Sequence, residues 1–250
     1  MPRCASPAAP RNPPPEVERQ SLPAALVVRL VASWRALCEA ERNSFIAATL
    51  VAGDLARLGA PPSILATAAR VIEDEVRHVG VCATVLDRLG AVAAEVPAED
   101  RRRDIGADPS IERRTALALV AGFGVGESMS AGWFAAARRT CRQPLIHWAL
   151  TELLRDEARH GTFGIDAGCW VTRNWSETER QALWPACVAE MEDFERRLGG
   201  PVPATETTPP DAENLAVGIL SPLASCTAAV EAVQRWVIPS LTRLGVLRST

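Results

Sequence analysis

One five-residue pattern occurs twice in this chain, as Asp74-Glu75-Val76-Arg77-His78 and as Asp156-Glu157-Ala158-Arg159-His160. There are only three histidines, and the third, His147, stands outside the pattern. With 20 glutamates in 250 residues, a histidine has a glutamate three positions earlier by chance in roughly 8% of cases, and two of three do so in about 2%. Requiring aspartate before both glutamates takes the chance below about 1 in 10,000. On a helix, positions i and i+3 share a face, so each Glu-x-x-His offers a carboxylate and an imidazole to one point. A fold that brings both copies together must bury several charges, which is costly unless cations join them.

The rest of the sequence supplies the helices. Leu26, Leu30, Trp34, Leu37, Cys38, Glu41, Phe45 and Ala48 recur mostly at three- and four-residue spacing, the stripe of a long amphipathic helix ending near Leu58. Gly59 closes it, and Ser63 is the candidate cap of a second helix running to about Leu89. Residues 91–110 have no period and are long enough to cross over along a bundle. Ser110 caps a third helix to about Thr140, and a tight turn at Pro144 opens a fourth to about Arg173. Ser176 with Glu179 forms a capping box for a fifth, to Leu198. Residues 199–211 read as a linker, and a last helix covers about 222–244. No segment alternates with period two for long. The expectation is an all-α chain: a disordered Pro-rich tail at 1–20, a four-helix bundle at 21–175 with a long crossover between helices two and three, and extra C-terminal helices at 176–250 packed on it.

Helix register adds a second test. In an antiparallel hairpin, residues equidistant from the turn lie level. Glu41 is level with the Glu75/His78 pair about the Gly59 turn, and Glu127 with the Glu157/His160 pair about the Pro144 turn. At about 1.5 Å per residue the meeting point is about 25 Å from either turn, deep in the bundle. His147 is about 15 Å of helix from Glu157, too far to join, and reads as a capping or packing residue.

At this point the sequence resembles the ferritin-like di-iron carboxylate proteins, whose pattern is one Glu from each of two helices plus Glu-x-x-His from each of two others. The resemblance covers about residues 24–172 and implies a ferritin-like bundle with six metal ligands: Glu41, Glu75, His78, Glu127, Glu157 and His160. Glu75 and Glu157 would be the bridging carboxylates. Asp74 and Asp156 match aspartates that, in ribonucleotide reductase small subunits and acyl-carrier desaturases, hydrogen-bond the ligand histidine of the opposite motif; pairing with Arg77 and Arg159 is their other reading. The implied cofactor is two Fe ions, with Mn an alternative in one or both positions. The layout is also similar to bacterial ferritin-like domain proteins and, more distantly, to di-iron N-oxygenases of arylamines. Leu153 stands where those N-oxygenases carry a further histidine.

Composition trims the functions. At 48% hydrophobic and 23% charged the chain has ample material for a core, and its net charge of −3, with arginine as its sole strong base and no lysine, argues against a nucleic-acid partner. No run reaches the length of a membrane span, and the start lacks a signal-peptide pattern, so a cytoplasmic protein is expected. Seven cysteines without a CxxC pair fit reduced thiols and exclude a fused rubredoxin. The absence of tyrosine excludes a stored tyrosyl radical. These readings lead to a non-haem di-iron oxidoreductase that activates dioxygen to oxidise a small organic substrate, fed by a separate electron donor; a homodimer is compatible with it. The alternative is a ferritin- or rubrerythrin-like iron-binding ferroxidase or protective protein, and a third reading is a metal that only staples the bundle. Two features stay open: Cys38 and Cys82, either facing thiols or small core residues, and the Gly122/Gly124/Gly126 run, which suits a pocket, a bulge or close packing.

Overall fold

A computed structural model describes residues 14–15, 22–91, 110–198 and 212–248, and every regular element among them is helical. The expected tail, the crossover and the linker before the last helices fall largely or wholly outside the described residues. Four long helical stretches carry the site. They are α1 (Ala24–Arg57), α2 (Pro62–Arg88), a continuous third stretch made of α3 (Ile111–Leu117), a π-helical segment (Ala118–Glu127) and α4 (Ser128–Thr140), and finally α5 (Pro144–Val171).

The local signals explain most boundaries. Gly59 ends α1 and Gly90 follows α2, with φ of 73° and 74°, a left-handed conformation that glycine adopts without penalty. Ser110 accepts a hydrogen bond from the Arg113 N–H at the start of α3. The expected cap at Ser63 is not used. Pro62, whose φ is preset for the first helical turn, starts α2 two residues earlier than a cap at Ser63 would, with Pro61 in the cap position. At α5 the Gln143 side chain accepts from the Ile146 N–H at 2.9 Å.

α1 and α2 form one hairpin, and the third stretch and α5 form another. Each buries an apolar stripe, and the resulting core falls into two parts. One joins Ala48, Val51, Leu55 and Val71, near the α1–α2 turn, to Leu119, Val120, Phe163 and Val171, at the open end of the second hairpin. The other joins Leu30, Trp34, Val85 and Leu89, at the open end of the first hairpin, to Phe134, Leu145 and Leu150, near the second turn. The hairpins therefore lie head to tail. Each fully buried leucine contributes roughly 1.5–3 kcal/mol, and the charged site lies between these two apolar parts.

The C-terminal region departs from expectation in two places. The fifth helix is split into α6 (Glu177–Gln181) and α7 (Trp184–Arg197), because Pro185 lacks an N–H and suits only a fresh first turn. The capping box at Ser176 and Glu179 is present in α6. A short α8 (Ala212–Ala216) precedes α9 (Pro222–Ala232), a second π-helical segment (Val233–Val237) and α10 (Ile238–Leu244). Here the widened turn sits directly before Pro239, whose ring would clash with a regular preceding turn. α7 packs on the π-helical segment of the second hairpin, α9 on α4, and α10 on α5. Among the described residues no helix is long and apolar enough to cross a membrane.

Candidate metal centre

The two hairpins bring the duplicated motifs face to face. His78 and His160, both fully buried, have ring centroids 5.4 Å apart. His78 Nδ1 lies 3.2 Å from Glu41 Oε2, 3.5 Å from Glu157 Oε1 and 3.8 Å from Glu75 Oε2. His160 Nδ1 lies 3.1 Å from Glu75 Oε1 and 3.5 Å from Glu157 Oε2. Glu127, the most exposed of the six, accepts a hydrogen bond from the Ser44 hydroxyl at 3.2 Å. Three triads result, each with donor atoms within 4.8 Å of one another: Glu75, His78 and His160; Glu41, His78 and Glu157; and Glu127, Glu157 and His160. Together they contain the six residues expected from the sequence.

These donor atoms are close without being satisfied by one another. Both Glu75 carboxylate oxygens, Glu157 Oε2 and His160 Nδ1 are buried and have no hydrogen-bond partner. Buried polar atoms left in this state are costly, and oxygens and imidazole nitrogens converging on a common space are the donor set of a hard or borderline divalent cation. The residues present therefore fit a metal, and the clusters can hold one.

The electrostatics point the same way. Burial raises the Glu41 carboxyl to about 7, although His78 opposes the rise. Burial and the negative charges of Glu157 and Glu75 push Glu127 well above the carboxylate range. Burial would raise Glu157 too, but His160 and His78 beside it outweigh that and hold it low. Burial disfavours charge on both imidazoles, yet the surrounding carboxylates lift His78 and His160 well above the ordinary histidine range. Without a metal, protons neutralise the cluster; a metal would displace them.

Asp74 and Asp156 sit behind the histidines in a crossed arrangement. His78 Nε2 is 3.6 Å from Asp156 Oδ2, and His160 Nε2 is 3.5 Å from Asp74 Oδ2, so each aspartate faces the histidine of the opposite motif. These distances are long for a good hydrogen bond. The arginine pairing, the other reading, is present as well. Arg77 donates to Asp74 Oδ1 at 2.7 Å and to Asp156 Oδ2 at 2.9 Å, and Arg159 also reaches both aspartates. Burial would raise Asp74, but His160, Arg77 and Arg159 hold it far below the usual range. This box of two aspartates and two arginines closes one side of the site behind the imidazoles, whose buried Nε2 atoms have no hydrogen-bond partner at these distances.

Other residues resolve differently. His147 is exposed on α5, outside the cluster and not a packing residue. Leu153 is fully buried in the apolar core. The Gly122/Gly124/Gly126 run lies in the π-helical segment, so the bulge reading holds. Close packing holds too: a Cβ on Gly124 would meet Ile165 Cδ1 at 2.7 Å. Sequence reasoning missed Ser44, although it is one turn beyond Glu41 on the same stripe. It also missed Glu190 on α7, which is buried with its carboxylate beside Gly126 and accepts a hydrogen bond from Arg197; no local motif marks it. Comparison with protein-family models, with curated proteins and with solved structures found no match for this chain.

Proposed function

We propose that the protein is a ferritin-like, non-haem di-iron oxidoreductase that uses dioxygen to oxidise a small organic substrate. The observation that carries the reading is the convergence of two imidazoles and four carboxylates, from four helical stretches, into overlapping triads with unsatisfied donor atoms. Two bound iron ions would supply the redox chemistry with dioxygen. Glu75 and Glu157 would be the carboxylates shared between the two ions, because each lies near the Nδ1 of both histidines. Glu41, beside His78, and Glu127, which shares its triad with Glu157 and His160 of its own hairpin, would be the terminal carboxylates.

The chain's own groups have distinct tasks. Asp74, Asp156, Arg77 and Arg159 close the site behind the imidazoles. The apolar layers on both sides exclude water from the cluster. Glu127 is partly exposed while the other five ligands are buried, so a small molecule approaches along the Glu127 and Ser44 edge. The cover given by α7, α9 and α10 to the second hairpin favours an enzyme over a cage-forming storage subunit, whose outer helix faces are needed for assembly.

Anaerobic titration with Fe(II), metal counting and oxygen-electrode measurement test the reading. Two irons per chain and oxygen uptake are expected. Two irons without oxygen uptake would leave a structural staple, and a particle of ferritin-cage size in size-exclusion chromatography would favour the ferroxidase alternative.

A further inference from the structure

A second chemical group lies one helical turn from the carboxylates. The contact of Glu41 with His78 at 3.2 Å fixes the register of the first hairpin. Residues equidistant from the Gly59 turn face each other along it, and buried side chains occupy both members of each level: Leu30 with Leu89, Trp34 with Val85, Ala48 with Val71. In this register Cys38 is level with Val81, and Cys82 is the next residue along α2, so the two cysteines flank the level next to Glu41 and His78. Cys38 precedes Glu41 by three residues and Cys82 follows His78 by four, which in antiparallel helices is displacement in the same direction, about 4.5–6 Å along the axis. Both thiols are free, 3% and 0% exposed, and belong to the same part of the core.

We infer that Cys38 and Cys82 are an internal dithiol that closes to a disulfide, giving two electrons and two protons to dioxygen at the neighbouring site. In balance, both S–H bonds break, one S–S bond forms and dioxygen is reduced to hydrogen peroxide. The inference rests on the oxygen-using reading of the metal centre, and it gives that reading a source of two electrons inside the chain, which has no tyrosine and no CxxC pair. Burial raises both thiols, and Cys82 also feels the charges of Glu41, Cys38 and Glu157. These thiols are therefore held protonated, inert to chance reagents, and close to the ligand carboxylates. With so little exposure, the pair is shielded from bulky external thiols.

The sequence makes the test direct. Because the chain has no lysine, cleavage after arginine releases Cys38 in residues 36–42 and Cys82 in residues 78–88. The full chain is loaded anaerobically with two equivalents of Fe(II), exposed to oxygen, denatured, alkylated and mapped without reduction. The expected result is loss of two of the seven thiols per chain and a cross-linked 36–42/78–88 peptide, absent from the anaerobic sample. Cys38→Ser takes up iron as before and gives no such peptide. Iron that is bound and oxidised while both cysteines alkylate fully would overturn the inference and leave the metal reading standing. Failure to bind iron at all would remove both, and metal counting on the same sample tells the two failures apart.

Discussion

The two hairpins present the same donor set on different backbones. In the first, α1 and α2 are regular α-helices separated by layers of paired side chains, with Glu41 buried among them. In the second, the ten residues leading to Glu127 are π-helical, and the helices nearly touch backbone to backbone. A Cβ on Gly164 would meet Leu119 O at 2.5 Å and Phe123 Cβ at 2.7 Å. The motif position that holds Cys82 in the first hairpin, four residues after the histidine, holds Gly164 in the second. One hairpin spaces its helices with thiols and the other with glycines. The widened helix delivers its glutamate to the partly exposed edge of the site, whereas the regular one keeps its glutamate inside. The donors are near-symmetric, and the access to them is not.

The largest effects come from the residues the hairpins share. Glu157 belongs to two triads with members from both hairpins, so Glu157→Ala is expected to take the iron count from two per chain to near zero. Glu41→Ala and Glu127→Ala each touch one triad and are expected to retain about half the metal. Equal losses in all three variants would break the distinction between bridging and terminal carboxylates. Elemental analysis after gel filtration measures the outcome.

The paired arginines come next. Arg77 has 9% of its side chain exposed and Arg159 has 37%, although both contact the same two aspartates. Arg77→Met leaves buried carboxylates short of their dry partner and is expected to cost about 3–5 kcal/mol in urea denaturation. Arg159→Met removes the wetter partner, whose loss water partly replaces, at about 1–2 kcal/mol. The glycines test the backbone contrast at a smaller scale. Gly164→Ala forces the hairpin apart and is expected to cost about 1–3 kcal/mol. A Cβ on Gly122, in the same π-helical segment, meets nothing within 4 Å, so Gly122→Ala is expected to be neutral or to stabilise by up to about 1 kcal/mol.

What was legible in the sequence divides along the same line. The six clustered residues could be read because their spacing is local, three apart on one helix, and because hairpin register is arithmetic about a turn. The first hairpin obeys that arithmetic, and Glu41 meets His78 as the Gly59 midpoint requires. The π-helical geometry before Glu127 was legible only as three open readings of a glycine run, since the segment packs against Gly164 and Gly168 of α5, which come from a distant part of the chain. The arginine cross-links to both aspartates, and the place of Glu190 beside Gly126, likewise depend on how elements pack. Ser63 looked like a cap because its residue type suits one, but the preset φ of Pro62 started the helix first.

The smallest test concerns a joint between the hairpins. Asp54, near the end of α1, accepts two hydrogen bonds from Arg114 of α3 at 2.8 Å each, and its side chain is mostly buried. The Arg114 hydrogen bonds, outweighing the opposing effect of burial, hold the Asp54 carboxyl below its ordinary value. A carboxylate with a depressed folded-state value contributes its stability in full above the unfolded value, about 3.9, and loses it as pH falls through the lower folded value. Asp54→Asn is therefore expected to cost about 1 kcal/mol at neutral pH, and the gap from the parent chain is expected to narrow as the pH is lowered below about 4. Thermal denaturation of the metal-free chain across that range measures it. A gap that stayed constant with pH would show that the joint acts through packing rather than charge, and that the head-to-tail contact of the hairpins is held by the apolar core alone.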